Sequence, residues 1–205
     1  TVKNLAGHTL EDTGYKTASS IDAYKNLGYD LVSDDTNGAE IIFDDDDTAD
    51  QAYKVVLAHG YATVTSDMDK QAGTPINPDK NGAKWPEGST KSALQHDVKR
   101  NITYVVVNGK KSAPAGVNDS LHYEATATVD KVTGQVVKTV WSAPQDFKEI
   151  ASPALKGYTA DKKSISDKNI AHDHADIKEV VTYAPDAQTA TVTYVDQTTG
   201  ETLTV

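Results

Sequence analysis

Four consecutive aspartates, Asp44 to Asp47, follow the apolar residues 41–43 and are the densest group of metal-binding side chains in the chain. Carboxylate oxygens are the ligands that Ca²⁺ prefers. An EF-hand loop beginning at Asp44 needs glycine at its sixth position and a carboxylate at its twelfth, where this chain has Ala49 and Val55. The aspartates therefore do not form an EF-hand.

Alternate side chains of an extended segment point to the same side, which leaves a simpler arrangement open. Asp44 with Asp46, or Asp45 with Asp47, would face one cation together with backbone carbonyls. We predict a weak calcium site at Asp44 and Asp46. The alternative is a solvated, charged corner before a strand, which keeps the edge of a sheet from aggregating.

The histidines give a second set of candidate ligands. His172 and His174 lie on one side of an extended segment, but zinc needs a third ligand such as Asp176. The alternative for this segment is an exposed polar loop. His59 falls on the apolar face of a predicted strand, which indicates a hydrogen-bonded, partly buried histidine and not a catalytic base.

No catalytic motif is present in the sequence: it has no nucleophile elbow, Walker loop, dinucleotide fingerprint or zinc-protease helix. It also has no cysteine, which excludes thiolate chemistry and disulfides. We predict that the protein is not an enzyme. Trp85 and Trp141 offer rings that either stack on sugars or pack in a core.

The composition limits the partners and the architecture. The 205 residues suffice for two domains of about 100 residues each. A formal net charge of -10 disfavours nucleic acid and anionic membrane surfaces. No apolar run is long enough to cross a membrane, and the first ten residues do not read as a signal peptide.

The elements that position these residues are mostly strands. An apolar stripe at three-residue spacing predicts a helix over residues 17–27, capped by Ser19 or Ser20 and ended by Gly28. Residues 121–129 alternate apolar and polar without interruption, as in a strand with one wet face. Further strands are predicted over residues 29–32, 51–60, 102–106, 135–141 and 177–183, and a short helix over 144–150.

Prolines and glycines in residues 67–96 predict a connector that Trp85 anchors onto a neighbouring domain. A second feature is an internal repeat. The segment VDKVTG at 129–134 recurs as VDQTTG at 195–200, each in a threonine-rich hairpin, and a fainter Gly-Tyr pattern links residues 27–35 with 155–163. We interpret the repeats as two related modules.

The most specific segments of the chain are, in order, TVKNLAGHTLEDTGYKT, LGYDLVSDD, IIFDDDDTADQAYKVVLAHG, PINPDKNGAKWPEG, DVKRNITYVVVNGK and TATVDKVTGQVVKTVW. Together they closely resemble one repeat of the mucus-binding surface proteins of lactic acid bacteria. The resemblance implies an α+β fold of two tandem ubiquitin-like β-grasp modules in an elongated arrangement. It also implies an extracellular, cell-wall-anchored adhesin of a Gram-positive cell, of which this chain is an internal fragment.

On this basis we expect a first module over residues 1–66, the connector over 67–96, a second module over 97–187, and the opening hairpin of a following repeat over 188–205. The first module then lacks its opening strand. We expect head-to-tail strand exchange between copies, in which one molecule's C-terminal hairpin fills the gap in another.

The resemblance implies binding of mucin glycans, with avidity from tandem copies. Two alternatives remain: an immunoglobulin-binding module, since some repeats of this family bind immunoglobulins, and a structural spacer of a surface stalk. No motif defines a ligand-binding residue, and no cofactor apart from calcium is expected.

Overall fold

A computed structural model describes residues 3–204, so the outermost residues of the first and last predicted segments lie outside it. The described residues are mostly β, with one α-helix and two short 3-10 turns, Ser66–Met68 and Glu87–Ser89. The other elements, in chain order, are α1 (Ala18–Asn26), β1 (Tyr29–Asp34), β2 (Val55–His59), β3 (Tyr61–Thr65), β4 (Gln95–Val106), β5 (Val117–Asp130), β6 (Val136–Trp141), β7 (Ile150–Ala151), β8 (Tyr158–Ala160), β9 (Ser164–Ile165), β10 (Ile177–Pro185), β11 (Tyr194–Val195) and β12 (Thr202–Leu203).

The chain divides into two compact units. Unit 1 contains the residues up to Asp97 together with His122–Ala143, and unit 2 contains Val98–Leu121 and the residues from Pro144 onward. Strands β4 and β5 therefore each contribute residues to both units. No helix of the described residues is long and apolar enough to cross a membrane.

The single helix of unit 1 forms where its apolar stripe predicts. Ile21 is buried, and Gly28 adopts the left-handed backbone (φ 99°) expected after a helix end. The predicted serine cap is wrong, because the helix begins at Ala18 and both Ser19 and Ser20 lie inside it. Thr17 is the capping residue, and its hydroxyl donates instead to Asp34 Oδ2 at 2.6 Å.

Strands β1 and β2 form an antiparallel pair in which Leu31 lies opposite Leu57. The strand predicted over residues 51–60 begins only at Val55. The N–H of Lys54 donates to the carboxylate of Asp35 at 2.9 Å, and the side-chain amide of Gln51 donates to the carbonyl of Ile42 at 3.1 Å. Before Val55, these side-chain hydrogen bonds take the place of the backbone hydrogen bonds that a strand would form with its neighbour.

The rest of unit 1 is a three-stranded arrangement with β5 paired to both β3 and β6. The alternation predicted for residues 121–129 is confirmed, because Tyr123, Ala125, Ala127 and Val129 are all buried. Three of them form a core cluster with other apolar residues. That cluster consists of Val64, Leu94, Ala125, Ala127 and Val129, with Trp85 and Trp141 packed against it.

Unit 2 is a sheet in the order β5, β4, β10, β8. β10 pairs in parallel with β4, from Ile177 opposite Arg100 to Tyr183 opposite Val106. On its other edge β10 pairs antiparallel with β8. The core of this unit consists of Ile102, Tyr104, Ile165, Val181 and Tyr183.

The helix predicted over residues 144–150 is wrong. Gln145 forms a two-way backbone bridge with Ile170, at 2.9 and 2.8 Å, and Phe147 donates to the carbonyl of Asp167 at 2.9 Å. Phe147 is also buried. Long-range backbone bonds and the burial of one aromatic ring therefore hold this segment extended, which a local pattern does not reveal.

The repeated sequence VDxxTG produces two turns of the same geometry. The carboxylates of Asp130 and Asp196 each accept the N–H groups two and three residues later, at 2.8 and 3.1 Å in the first turn and 2.7 and 3.3 Å in the second. Four residues after each aspartate stands a left-handed glycine, Gly134 (φ 73°) or Gly200 (φ 74°). The glycine N–H donates to the carbonyl of the aspartate at 2.9 and 2.8 Å. The repeat seen in the sequence is thus a repeat of structure.

Candidate functional site

The polar face of the strands in unit 1 forms a hydroxyl-rich surface, which we call the threonine face. Two cross-strand rows define it, because residues paired directly across an antiparallel ladder share a face. The first row runs across β3, β5 and β6 and consists of Thr65, Thr126 and Val140. The second row consists of Thr63, Thr128 and Lys138, and Tyr61 lies beyond it along β3. Tyr61 is 58% exposed and lies two residues before Thr63 in β3. The threonine hydroxyls of the two rows can donate and accept hydrogen bonds.

An exposed hydrogen-bonded network involving His122 also lies in unit 1. His122 Nδ1 donates to Asp97 Oδ1 at 2.6 Å, and Glu124 accepts from the Ser66 hydroxyl at 2.8 Å and from the Gln95 amide at 3.3 Å. The hydrogen bond to Asp97 raises the pKa of His122 above its usual value. The hydrogen bond from Ser66 holds the pKa of Glu124 below its usual value.

These groups suit recognition of hydroxyl-bearing ligands. Carboxylates, an imidazole and an amide supply charged acceptors and donors, and the neighbouring strands supply hydroxyls. His122 and Asp97 have half-exposed side chains, at 53% and 51%. The network is therefore accessible to a ligand in solvent.

Unit 1 also contains a groove beside the helix, which we call the helix groove. It has a volume of about 1030 Å³. Residues of the segment before α1 line part of it, among them Leu5 and Tyr15. The apolar lining from α1, β1, β2 and the segment between β1 and β2 includes Ile21, Tyr24, Tyr29, Ile41, Phe43, Tyr53, Val55 and Leu57. Within residues 3–60 only Ile21 and Ile41 are buried apolar residues, so the apolar side of α1 is incompletely covered.

The two aspartates of the predicted calcium site lie at the rim of the helix groove. Asp46 Oδ1 accepts the N–H of Thr48 at 2.9 Å, and Asp44 Oδ1 accepts the N–H of Asp46 at 3.3 Å. The hydrogen bonds from Thr48 lower the pKa of Asp46. Residues 3–204 contain no group of three or more histidine, aspartate or glutamate side chains placed to hold a metal. The calcium site stays a prediction.

The structure places the other candidate residues in structural roles. Asp176 accepts the N–H of Lys99 at 2.8 Å, and His174 Nδ1 donates to the carbonyl of Ala175 at 2.6 Å. His59 Nδ1 lies 2.7 Å from Asp130 Oδ2, which confirms the prediction of a hydrogen-bonded histidine. Burial raises the pKa of Asp130, but hydrogen bonds from His59 and from two backbone N–H groups outweigh it and leave the pKa lowered.

Both tryptophans pack against the core cluster of unit 1 and are partly buried there, which agrees with the packing alternative. The outer side of the Trp85 ring is covered as well. Lys70 Nζ lies 4.9 Å from the ring centroid, a cation–π contact. The aromatic ring open to a ligand on the threonine face is that of Tyr61.

The sequence analysis missed a buried charge in unit 2. Arg100 is 1% exposed and binds Asp119 with two bonds, at 3.0 and 2.7 Å, and Asp167 with one, at 2.9 Å. Its guanidinium also lies 4.4 Å from the centroid of the Phe147 ring. The alternation of inward- and outward-facing residues along β4 could have revealed the burial of Arg100, because Arg100 stands between the inward-facing Val98 and Ile102.

The described residues form a mostly β protein with one α-helix, in which unit 1 presents an open polar face on its strands. Comparisons with known proteins indicate the family of the domain. One family model, a mucin binding domain, matches residues 1–59, and another, a Muc B2-like domain, matches residues 89–187. These two matches support a MucBP-type mucus-binding repeat.

Solved structures agree with this family. The crystal structure of Mub-RV is similar over 89% of this chain and 89% of that chain, with 28% identity and a TM-score of 0.62. The type 2 repeat of the mucus binding protein MUB from Lactobacillus reuteri is similar over 89% of each chain, with 25% identity and a TM-score of 0.50. No curated protein matches the chain.

Proposed function

We propose that this chain is a mucus-binding repeat of a surface adhesin, which binds mucin glycans through the threonine face and acts by binding and not by catalysis. The observation that carries the proposal is the match of residues 1–59 to a mucin binding domain, together with the similarity of nearly the whole chain to a repeat of a mucus binding protein.

The chemistry of the threonine face supports this assignment. Glycans present many hydroxyls with apolar C–H faces, which suit side chains that both donate and accept hydrogen bonds beside an exposed ring. Thr63, Thr126 and Thr128 supply the hydroxyls, and Tyr61 supplies the ring. We expect weak binding at a single site on this partly exposed face, for which tandem copies compensate through their high effective concentration.

We also propose the parts of the architecture that the family implies. Two tandem β-grasp modules, at residues 1–66 and 97–187, are joined by the connector at 67–96 and followed by a hairpin of the next repeat at 188–205. The chain belongs to an extracellular, cell-wall-anchored protein. Asp44 and Asp46 are proposed as a weak calcium site, which calorimetric titration with Ca²⁺ tests directly.

The test is retention of the isolated chain on immobilised mucin and on a glycan array. We expect Tyr61→Ala to weaken binding roughly three- to tenfold, because removal of one stacking ring costs about 0.5–1.5 kcal/mol. The matched control is Tyr53→Ala, which removes a tyrosine of similar exposure, 46% against 58%, at the helix groove. This control keeps mucin binding if the threonine face is the site.

Other outcomes contradict the proposal in distinct ways. Equal loss in both tyrosine variants places the glycan site elsewhere in unit 1. No retention of the parent chain above an unrelated β-grasp domain favours a spacer. Capture of antibody fragments that carry no glycan favours an immunoglobulin-binding module.

A further inference from the structure

The strand pairs β1–β2 and β8–β10 are equivalent. Each first strand follows a left-handed glycine, Gly28 (φ 99°) or Gly157 (φ 78°), and begins with a tyrosine. In each pair the residue after the second strand donates its N–H to that glycine's carbonyl at 2.9 Å, from Gly60 in unit 1 and Asp186 in unit 2. The two pairs are therefore the same structural element at two places in the chain.

The two pairs differ in what covers the second strand. In unit 2, the edge of β10 opposite β8 is paired in parallel with β4, and Ile102 and Tyr104 of β4 share a core with Val181 and Tyr183. In unit 1, β2 belongs to a two-stranded sheet within the described residues. By the equivalence of the pairs, Leu57 stands where unit 2 has Tyr183, and it lines the helix groove.

The hairpin β11–β12 has an exposed apolar face, which complements the uncovered edge of β2. It is a two-stranded sheet with Tyr194 opposite Leu203, so these two side chains share a face, and Val192 precedes β11 by two residues. All three are exposed, at 65%, 52% and 72%. An apolar face on an isolated two-stranded hairpin is unstable in water and favours a partner.

We propose that the hairpin β11–β12 of one copy of this chain adds to the free edge of β2 in a second copy and fills its helix groove. β11 then pairs in parallel with β2, as β4 pairs with β10. Backbone hydrogen bonds supply the affinity, and Val192, Tyr194 and Leu203 take the positions against Leu57 that β4 side chains occupy in unit 2. Unit 2 of the same chain shows which partner this edge requires, namely an antiparallel strand pair with one apolar face.

The interaction is heterologous, because one surface of each copy binds a different surface of the next. Such contacts do not close on themselves by two-fold symmetry and continue into head-to-tail chains unless the rotation makes a ring. The contact uses neither Tyr61 nor the threonine face. The proposal is therefore independent of glycan binding, and its test contains no glycan.

The chain has no cysteine, so single cysteines report the contact without background. Two full-length variants are mixed under mild oxidation, Tyr194→Cys in one and Leu57→Cys in the other. We expect a disulfide-linked heterodimer, read on a non-reducing gel and by mass spectrometry. The matched control replaces Tyr194→Cys by Val195→Cys, which is exposed on the opposite face of the same hairpin, and we expect at least tenfold less heterodimer.

A second measurement excludes accidental cross-linking. Tyr194→Asp and Leu57→Asp each remove one of the two surfaces, and circular dichroism verifies that each variant is folded. We expect each alone to sediment as a monomer, and their equimolar mixture to form a dimer, because the mixture retains one intact hairpin and one intact groove.

Two results overturn the proposal. Equal cross-linking from Val195→Cys and Tyr194→Cys shows that the apolar face does not direct the contact. An intramolecular disulfide in the double variant that carries both Tyr194→Cys and Leu57→Cys, with no heterodimer from the mixed single variants, shows that the hairpin packs within its own chain.

Discussion

At the residue scale, Arg100 is the most constrained side chain of unit 2. A guanidinium without access to water needs partners for its charge and for its five N–H donors. Asp119 and Asp167 neutralise it, and the carbonyl of Lys148 accepts a further bond at 2.9 Å. The hydrogen bond to Asp119 is the main cause that raises the pKa of Arg100. The charge is therefore permanent, and the fold of unit 2 depends on these contacts.

We predict that Arg100→Ala lowers the free energy of unfolding by about 3–5 kcal/mol, because it leaves two carboxylates without their cation in a partly buried place. Urea denaturation followed by circular dichroism measures the change. Lys99→Ala, at the exposed neighbouring position of β4, is the control and stays within about 0.5 kcal/mol of the parent. A loss below 1 kcal/mol for Arg100→Ala contradicts the structural role given to the network.

The same residue shows the limit of sequence reasoning at this scale. The alternation of β4 places Arg100 on the inward face, but a charged residue on an apolar face is compatible with either an exposed edge or a buried ion pair. The choice depends on Asp119 and Asp167, which are 19 and 67 residues away along the chain. Only the topology brings these carboxylates to the guanidinium.

At the element scale, α1 is fixed to β1 by a buried hydroxyl–carboxylate cluster. Thr17 and Thr36 are buried, and both donate to the carboxylate of Asp34, at 2.6 and 2.8 Å. The hydrogen bond from Thr17 is the main cause that holds the pKa of Asp34 below its usual value. The cluster explains why Thr17, and not the predicted Ser19 or Ser20, precedes the helix.

We predict that Thr17→Val destabilises unit 1 by about 1–2 kcal/mol at neutral pH, since a carboxylate loses a hydrogen bond. The folded-state pKa of Asp34 is depressed, so its contribution is present above the unfolded pKa and is lost as the pH falls through the folded pKa. The difference between variant and parent is therefore largest above about pH 4 and decreases at lower pH.

Thermal unfolding at a series of pH values measures this difference. Thr9→Val replaces an exposed threonine of the same unit and is expected to change nothing at any pH. A difference between Thr17→Val and the parent that stays constant down to pH 2 would show that packing, and not the carboxylate of Asp34, is responsible.

Elements with strictly local signals were predictable, and elements with long-range partners were not. Helix α1 and the alternation of β5 follow from apolar spacing alone. The segment that contains Phe147 has a helix-compatible pattern, but its backbone pairs with residues 20 to 25 positions later, Phe147 with Asp167 and Gln145 with Ile170. The helix groove and the threonine face were likewise inaccessible to a local pattern, because each combines elements from separate parts of the sequence.

At the scale of the whole molecule, charge opposes association between copies. The net charge of -10 makes two chains repel one another in dilute buffer. We predict that the head-to-tail association proposed above strengthens as salt rises from 10 to 150 mM, because the Debye length falls from about 30 to 8 Å. Sedimentation equilibrium at a fixed protein concentration measures the change.

A control for this prediction is the mixture of Tyr194→Asp and Leu57→Asp, which forms one contact only and so shows the salt effect without chain growth. Association that weakens with salt would mean that attraction between opposite charges, and not apolar contact with backbone pairing, holds the copies together.

The parallel ladder between β4 and β10 determines how unit 2 responds to a pulling force. A load that enters at the start of β4 and leaves at the end of β10 acts along the ladder, so the seven residue pairs from Ile177–Arg100 to Tyr183–Val106 bear it together. Rupture then requires several hydrogen bonds to break at once, whereas peeling would break them singly. A load in this direction therefore meets mechanical resistance from the strand direction alone, without any covalent cross-link.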